Sequence, residues 1–140
     1  MHLLRLAVLN AVLILRSSAA LAAEVAVIVN KSNANAVDKA LLVEIYTGQA
    51  KLWKSGDPIS AYDLPEDNPV RASFSQSLLG KSIGNMKALA AQNLFSGKAV
   101  PPKQLASDEE VKKAVATSKN AIGYIKPSSA DDSVRVIGLQ

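Results

Sequence analysis

Residues 24–30 contain a near-continuous apolar run rich in β-branched side chains, Val25-Ala26-Val27-Ile28-Val29. A run of this kind is typical of a strand that is buried on both faces, as in a largely parallel sheet. Helices must then cover the sheet from both sides, so the run favours an α/β fold.

The stretch after this run predicts a polar loop and an amphipathic helix. Apolar residues recur at helical spacing as far as Ile45, and Asn35 is expected to cap a helix that runs through Tyr46. Gly48 is placed to end this helix, because the residue after the C-cap often needs a left-handed backbone. Trp53, the single tryptophan, is interpreted as a lid on the core, with a ligand-stacking platform as the alternative.

Turn and capping residues mark the remaining elements. Strands are predicted over residues 59–63, 121–125 and 134–137, the last at a sheet edge. Helix starts are predicted at Pro69 with Asn68 as its cap, at Ser82, and at Ser107 with Glu110 completing a capping box. The order predicts one α/β domain over residues 23–140: a three-layer α/β/α fold with a mixed, mostly parallel sheet of four to five strands.

Residues 1–22 have the pattern of a cleaved export signal. Arg5 supplies positive charge, residues 6–15 are apolar apart from one asparagine, and Ala20-Leu21-Ala22 is a small-residue cleavage motif. The apolar run is too short to span a bilayer. We therefore expect a periplasmic or secreted protein, cleaved after Ala22 or Ala23, without a membrane anchor after cleavage.

The residue types that remain after cleavage exclude most catalytic chemistry. Cysteine is absent, and the single histidine, His2, leaves with the signal. No thiolate or imidazole then remains for a metal site, a nucleophile or a general base, so we expect no enzyme, no metal and no cofactor. The remaining net charge, 14 − 12 = +2 after loss of two arginines, and the lack of a basic cluster do not favour nucleic-acid binding.

Three short motifs occur in order along the chain. Val27-Ile28-Val29-Asn30 resembles the "V-V-N" strand of phosphate-binding proteins of ABC transporters. Leu42-Val43-Glu44-Ile45-Tyr46-Thr47-Gly48 with Trp53 is similar to their "L-x-x-I-F-x-G … W" segment, and Asn120-Ala121-Ile122-Gly123-Tyr124-Ile125 to their "G-A-I-G-Y-V" strand. The resemblance implies one lobe of a type 2 periplasmic-binding-protein fold, whereas full members have two lobes. It also implies a small oxyanion such as phosphate as ligand.

The family's anion-binding motif, "R-x-D-x-S-G-T", is not retained in the loop before the helix that carries Phe74. At the matching positions stand Leu64 for the arginine, Glu66 for the aspartate, Asn68 for the serine, Pro69 for the glycine and Val70 for the threonine. The glycine-serine amide nest and the hydroxyl donors are therefore missing.

Two interpretations remain open for this loop. The helix start after Asn68 offers amides at Val70, Arg71 and Ala72, and the Arg71 guanidinium could add a bidentate contact to an anion. Against this, Glu66 and Asp67 lie in the same loop, and a carboxylate about 6 Å from an anion costs on the order of 3 kcal/mol at an effective dielectric near 20. Plain helix capping is the alternative.

A second set of candidates follows the first strand. Asn30, Ser32 and Asn33 leave its carboxyl end, where open α/β sheets usually bind ligands; a solvated turn is the alternative. Whether the face around Asn30, Asp63 and Asn68 is an open concavity or is blocked by its own side chains is expected to separate a ligand-binding protein from an interaction module. Tyr124, in an apolar strand, is interpreted as a core residue.

Two functions remain open from sequence. The first is an exported solute-binding-like protein with weak affinity for a small anion such as phosphate. The alternative is an envelope interaction or scaffold module that has lost ligand binding and contacts another envelope protein or a second copy of itself.

Overall fold

The computed structural model describes residues 25–139. The predicted export signal and its cleavage site lie outside the described residues. Within the described range the elements are β1 (Ala26–Val29), α1 (Lys39–Tyr46), β2 (Ser60–Asp63), α2 (Pro69–Ser73), a π-helical segment (Phe74–Leu79), α3 (Ile83–Phe95), β3 (Lys103–Gln104), α4 (Asp108–Thr117), β4 (Ala121–Ile125), a 3-10 turn (Pro127–Ser129) and β5 (Arg135–Val136).

The strands form one five-stranded mixed sheet in the order β3-β2-β4-β1-β5. Strand β2 runs parallel to both β3 and β4, while β1 runs antiparallel to both β4 and β5. Four strands therefore share one direction and β1 alone opposes them, which confirms the predicted mixed, mostly parallel sheet. Strand β3 was not predicted, because it has two residues and directly follows Pro101 and Pro102 in a connector.

Helices cover both faces of the sheet. On one face Tyr124 of β4 stacks on Phe74 with 3.8 Å between ring centroids, and Tyr46 of α1 meets Phe74 edge-on at 4.8 Å. On the other face α4 lies over Gly123, with the fully buried Val111 directly against it. The predicted α/β/α layers are confirmed.

The predicted helix starts are confirmed, with one correction. The side chains of Asn68, Ser82 and Ser107 accept hydrogen bonds from the amides of Val70, Asn85 and Glu110, respectively. Helix α1, however, is capped by Asp38, whose Oδ1 accepts from the amide of Leu41 at 2.8 Å, and not by Asn35. Asn35 instead donates from both its backbone and its side chain to Oδ1 of Asn33 in the preceding turn.

Two predictions for the segment from Gly48 to Trp53 are also confirmed. Gly48 has a φ of +82°, the left-handed backbone expected after a helix, and an added Cβ there would lie 2.8 Å from Ala99 and 2.9 Å from Asn93. Trp53 is 3% exposed, and its Nε1 donates to the carbonyl of Asn120 at 3.0 Å. Trp53 is therefore part of the core and not a stacking platform.

The close approach of α4 to the sheet predicts that Gly123→Ala is destabilising. Its Cβ would lie 2.6 Å from Cγ1 of Val111. We expect the free energy of unfolding, measured by urea denaturation, to fall by about 1–3 kcal/mol because the core is overpacked.

Gly138→Ala is the matched control, since an added Cβ there meets no atom within 4 Å. We expect its effect to stay within about 0.5 kcal/mol. Adding Val111→Ala to Gly123→Ala should cost less than the sum of the two single changes, because the clash is relieved. Wild-type stability of Gly123→Ala would contradict the close packing.

Candidate functional site

The sequence-predicted site residues lie at opposite ends of the sheet. Val29, at the end of β1, pairs with Ile122 near the start of β4. Ala61 of β2 also pairs with Ile122, so Asp63 lies beside the far end of β4. The expectation that Asn30, Asp63 and Asn68 share one face is therefore corrected: β1 runs antiparallel to its neighbour and carries Asn30 to the other end.

Asn30 joins β1 to the end of α4. It is 8% exposed, and its Nδ2 donates to the carbonyls of Val115 at 2.8 Å and Ala116 at 3.0 Å. Its Oδ1 accepts from the amide of Ser32 at 2.9 Å. The side chain therefore satisfies the last carbonyls of a helix, which are otherwise without partners.

Ser32 and Asn33 form a turn at the same end of the sheet. Arg135 donates to the backbone carbonyls of Asn33 and Asn35 at 2.6 and 3.2 Å, which fixes this turn against β5. Asn33 is 4% exposed, and its Nδ2 has no hydrogen-bond partner among residues 25–139. A small acceptor such as water would stabilise this donor, because an unpaired buried polar group costs about 1–3 kcal/mol.

A shallow polar groove of about 280 Å³ lies beside this turn. Its lining comprises Ser32, Asn33, Ala34, Asn35, Ser55, Asp57, Lys119 and Asn120. Sequence reasoning missed Asp57 and Lys119, which come from distant parts of the chain and have no local motif.

Asp63 is the centre of the second group. Its carboxylate accepts hydrogen bonds from the Tyr124 hydroxyl and, at 2.9 Å, from the amide of Leu64. The Arg71 Nε lies 3.5 Å from the same carboxylate, and the Arg71 Nη1 donates to the Leu64 carbonyl at 3.0 Å. The side chains of Asp63 and Arg71 are 13% and 11% exposed, so the pair is largely enclosed.

The amides at the start of α2 are engaged as well. The amide of Val70 donates to Oδ1 of Asn68 at 2.9 Å. The amides of Arg71 and Ala72 donate to the Asn68 carbonyl at 3.0 and 3.4 Å. These are the amides that the sequence offered to an anion, and the geometry favours the capping alternative.

Carboxylates surround this loop. Glu66 lies 3.2 Å from Lys87 of α3 in a half-exposed ion pair, and Asp67 is exposed. With Asp63, three acidic side chains follow one another around the start of α2, which leaves its surroundings unfavourable to a bound anion.

Burial controls the protonation of the Asp63 network. Burial raises the pKa of Asp63 above its ordinary value of 3.8, against the lowering effects of the Tyr124 hydroxyl, Arg71 and the Leu64 amide. Burial, and next the charge of Asp63, raise the pKa of Tyr124. Tyr124 therefore remains a neutral donor across the physiological pH range.

Sequence reasoning placed Tyr124 in the core and missed its hydroxyl. The residue is fully buried, yet its hydroxyl reaches Asp63 on the neighbouring strand. The signal that could have found this contact is the choice of tyrosine over phenylalanine in an apolar strand, since a buried hydroxyl requires a partner. For metals, no group of three or more His, Cys, Asp or Glu side chains within the described residues could hold an ion.

Comparison with known proteins links this architecture to solved structures. No protein-family model and no curated protein matches the chain. An ABC-type phosphate transport receptor from Vibrio cholerae aligns with a TM-score of 0.65 and 24% identity, covering 83% of this chain and 46% of the receptor. A putative phosphate ABC transporter substrate-binding protein with bound phosphate from Clostridium perfringens aligns with a TM-score of 0.66 and 25% identity. The alignment covers 83% of this chain and 44% of that protein.

PstS from Borrelia burgdorferi aligns at a TM-score of 0.65 with 15% identity and covers 84% of this chain and 47% of PstS. The chain has the fold of one phosphate-binding-protein lobe. It spans less than half the length of these substrate-binding proteins, and the resemblance inferred from the three motifs is confirmed at the level of the fold. No helix among residues 25–139 has the length and apolar character to cross a bilayer.

The Asp63 network predicts a pH-dependent effect of Tyr124→Phe. The hydroxyl stabilises the ionised carboxylate, so its loss should raise the pKa of Asp63 further. A raised carboxyl pKa means that the folded protein holds the proton longer than the unfolded chain, so stability falls as the pH rises from 3.8 through the folded pKa. We expect Tyr124→Phe to lower the free energy of unfolding by about 1–3 kcal/mol at a pH above that pKa, and by less below pH 3.8.

Carboxyl NMR titration and urea denaturation at several pH values measure both effects. Tyr62→Phe is the matched control, because Tyr62 lies half-buried on the opposite face, with its Cβ 3.8 Å from a Cβ added at Gly123. An unchanged Asp63 pKa in Tyr124→Phe would contradict the assigned contact.

Proposed function

We propose that the protein is an exported, single-lobe binding-protein-like module that acts by contacting another envelope protein and does not depend on phosphate capture. The observation that carries this proposal is the state of the donors at the expected anion site. Arg71 and the amides of Val70 and Ala72 already have partners inside the protein.

Recruiting Arg71 to an anion would compete with this network. Its guanidinium donates to the Leu64 carbonyl and lies 3.5 Å from the Asp63 carboxylate, so an anion at its remaining N–H groups would lie close to that negative charge. An exposed helix N-terminus contributes only about 0.3–1 kcal/mol to an anion. Anion binding is therefore unfavourable unless the anion makes further contacts.

Contacts from the described lobe alone would cover only part of a bound ligand. Ligand sites usually bury about 70–90% of the ligand surface. The alignments span 44–47% of the length of three solved relatives. A ligand held by this lobe alone would have fewer contacts to offset its loss of freedom, which lowers its affinity.

Weak binding of a small oxyanion such as phosphate is the second candidate. The specific observation that favours it is the bound phosphate in the Clostridium perfringens relative. Arg71, 11% exposed, and the Asn68 cap lie at the start of α2, where any such site would form.

We expect no phosphate binding at millimolar concentration. Calorimetry and amide NMR shifts of Val70 and Arg71 in the exported protein provide the measurement. The control is Lys113→Gln, which changes an exposed lysine on α4, away from this loop. Heat and shifts that disappear in Arg71→Gln but persist in Lys113→Gln would establish the second candidate instead.

Export predicts a defined mature N-terminus. Mass spectrometry of the protein from the periplasm or medium should show a chain that starts at Ala23 or Glu24. A charge placed in the apolar run, Leu13→Arg, should block this processing, whereas Ser17→Thr should not. A full-length chain confined to the cytoplasm would overturn the proposal, as would the lack of any envelope protein crosslinked to it in cells.

A further inference from the structure

A second, larger concavity lies at the β3 edge of the sheet, away from the Asp63 network. It has a volume of about 620 Å³ and lies between α3, the segment 97–103 and the edge of β2. We call it the α3 groove, and its apolar wall is formed by Ile45, Ile59, Leu89, Leu94, Val100 and Pro101.

Helix α3 is unusually poorly covered by the rest of the chain. Its apolar pattern predicts a buried stripe, yet among its 13 residues only Asn93 is buried. Leu94 is 58% exposed, Phe95 92%, and Val100 in the following segment 83%. Large apolar side chains that cluster on a surface are typical of an interaction site.

The walls of the groove are held in place by specific contacts. The Asn93 Nδ2 donates to the Thr47 carbonyl at 2.9 Å. The Asn93 backbone carbonyl accepts hydrogen bonds from the amides of Lys98 and Ala99 at 2.9 and 3.4 Å. Gly48 leaves the room that this contact needs. The apolar face is therefore positioned before any partner binds, which lowers the entropic cost of binding.

The charges around the groove have one sign. Lys51, Lys98 and Lys103 line it and are exposed, while no acidic side chain of the described range contributes to its lining. The Lys51 Nζ donates to the Lys98 carbonyl across the groove. The complementary occupant combines apolar anchors with carboxylates.

Three alternatives fit this surface less well. Two copies docked face to face would bring six lysines together, and like charges oppose such an isologous contact. A bilayer is flat and would leave a concave groove unfilled. Strand addition at β3 is disfavoured because the edge has two residues and follows Pro101 and Pro102, which lack amide donors.

We propose that the α3 groove binds an amphipathic helix of another protein, with apolar residues at helical spacing and acidic residues beside them. This inference rests on the proposed interaction function and assigns it a surface and a partner chemistry. The apolar stripe would cover Leu94 and Val100, and its carboxylates would meet Lys98 and Lys103.

A displayed library of helical peptides with randomised faces, selected on the exported protein, tests this chemistry. We expect the selected peptides to be enriched in Leu, Phe or Trp together with Asp or Glu, and to bind more weakly as salt rises. Leu94→Ser should weaken their binding by about tenfold or more. Val136→Ser is the matched control: Val136 is 49% exposed on β5, at the opposite edge of the sheet.

Charge reversal gives an independent readout. In the double variant Lys98→Glu/Lys103→Glu, the selected peptides should be basic and no longer acidic. The single variant Lys113→Glu on α4 should leave the charge of the selected peptides unchanged. Failure to select peptides, or peptides that ignore Leu94→Ser, would overturn the proposal. So would binding to phosphatidylglycerol vesicles, or a dimer in light scattering, that is lost in Val100→Ser.

Photo-crosslinking in cells separates this inference from the function on which it rests. A crosslinker at position 100, which lines the groove, should capture an envelope protein whose contact segment is acidic and apolar, and one at position 136 should not. Capture from position 136 alone would overturn the groove assignment while preserving the interaction function. No capture from either position, despite selected peptides, would count against the interaction function itself.

Discussion

The hydrogen bond from the Tyr124 hydroxyl to Asp63 links the apolar interior to the polar end of the sheet. The ring of Tyr124 is fixed by its stacking on Phe74, so the hydroxyl has a defined position beside β2. Asp63 is then held where it can pair with Arg71, and Arg71 in turn binds the Leu64 carbonyl. Together these contacts hold Arg71 beside a carboxylate, where a bound phosphate would be repelled.

Much of the fold could be predicted from local sequence, because strand burial, caps and glycine stops are short-range effects. The apolar run of β1 and the caps at Asn68 and Ser107 each appear where expected, although Glu110 accepts from the amide of Ala106 and not from that of Ser107. Strand β3 could not be predicted, since two residues carry no periodic pattern. The predicted cap of α1 was wrong because Asn35 and Asp38 have equivalent capping chemistry. Which of the two caps the helix depends on the Asn33 turn, which engages Asn35.

The candidate site was less predictable, for a physical reason. The sequence correctly indicated that Asn30 and Asp63 are polar residues at strand ends. The relative direction of the strands, however, depends on long-range pairing, which a local sequence pattern does not show. The antiparallel register of β1 with β4 separates these two residues by the length of the sheet. The α3 groove was missed for the converse reason: an amphipathic helix has the same sequence pattern whether its apolar face is covered by its own chain or left open.

Gly48 has a consequence for how this chain can evolve. An L-residue at this position would have to adopt a φ of +82° and would also collide with Asn93 and Ala99. Mutation of the glycine alone is thus blocked twice, and a single change at Asn93 leaves both the positive φ and the collision with Ala99 in place. Gly84, within α3, has its nearest added-Cβ contact at 3.9 Å, so drift is free there. Descendants of this chain should therefore vary at position 84 while position 48 remains glycine.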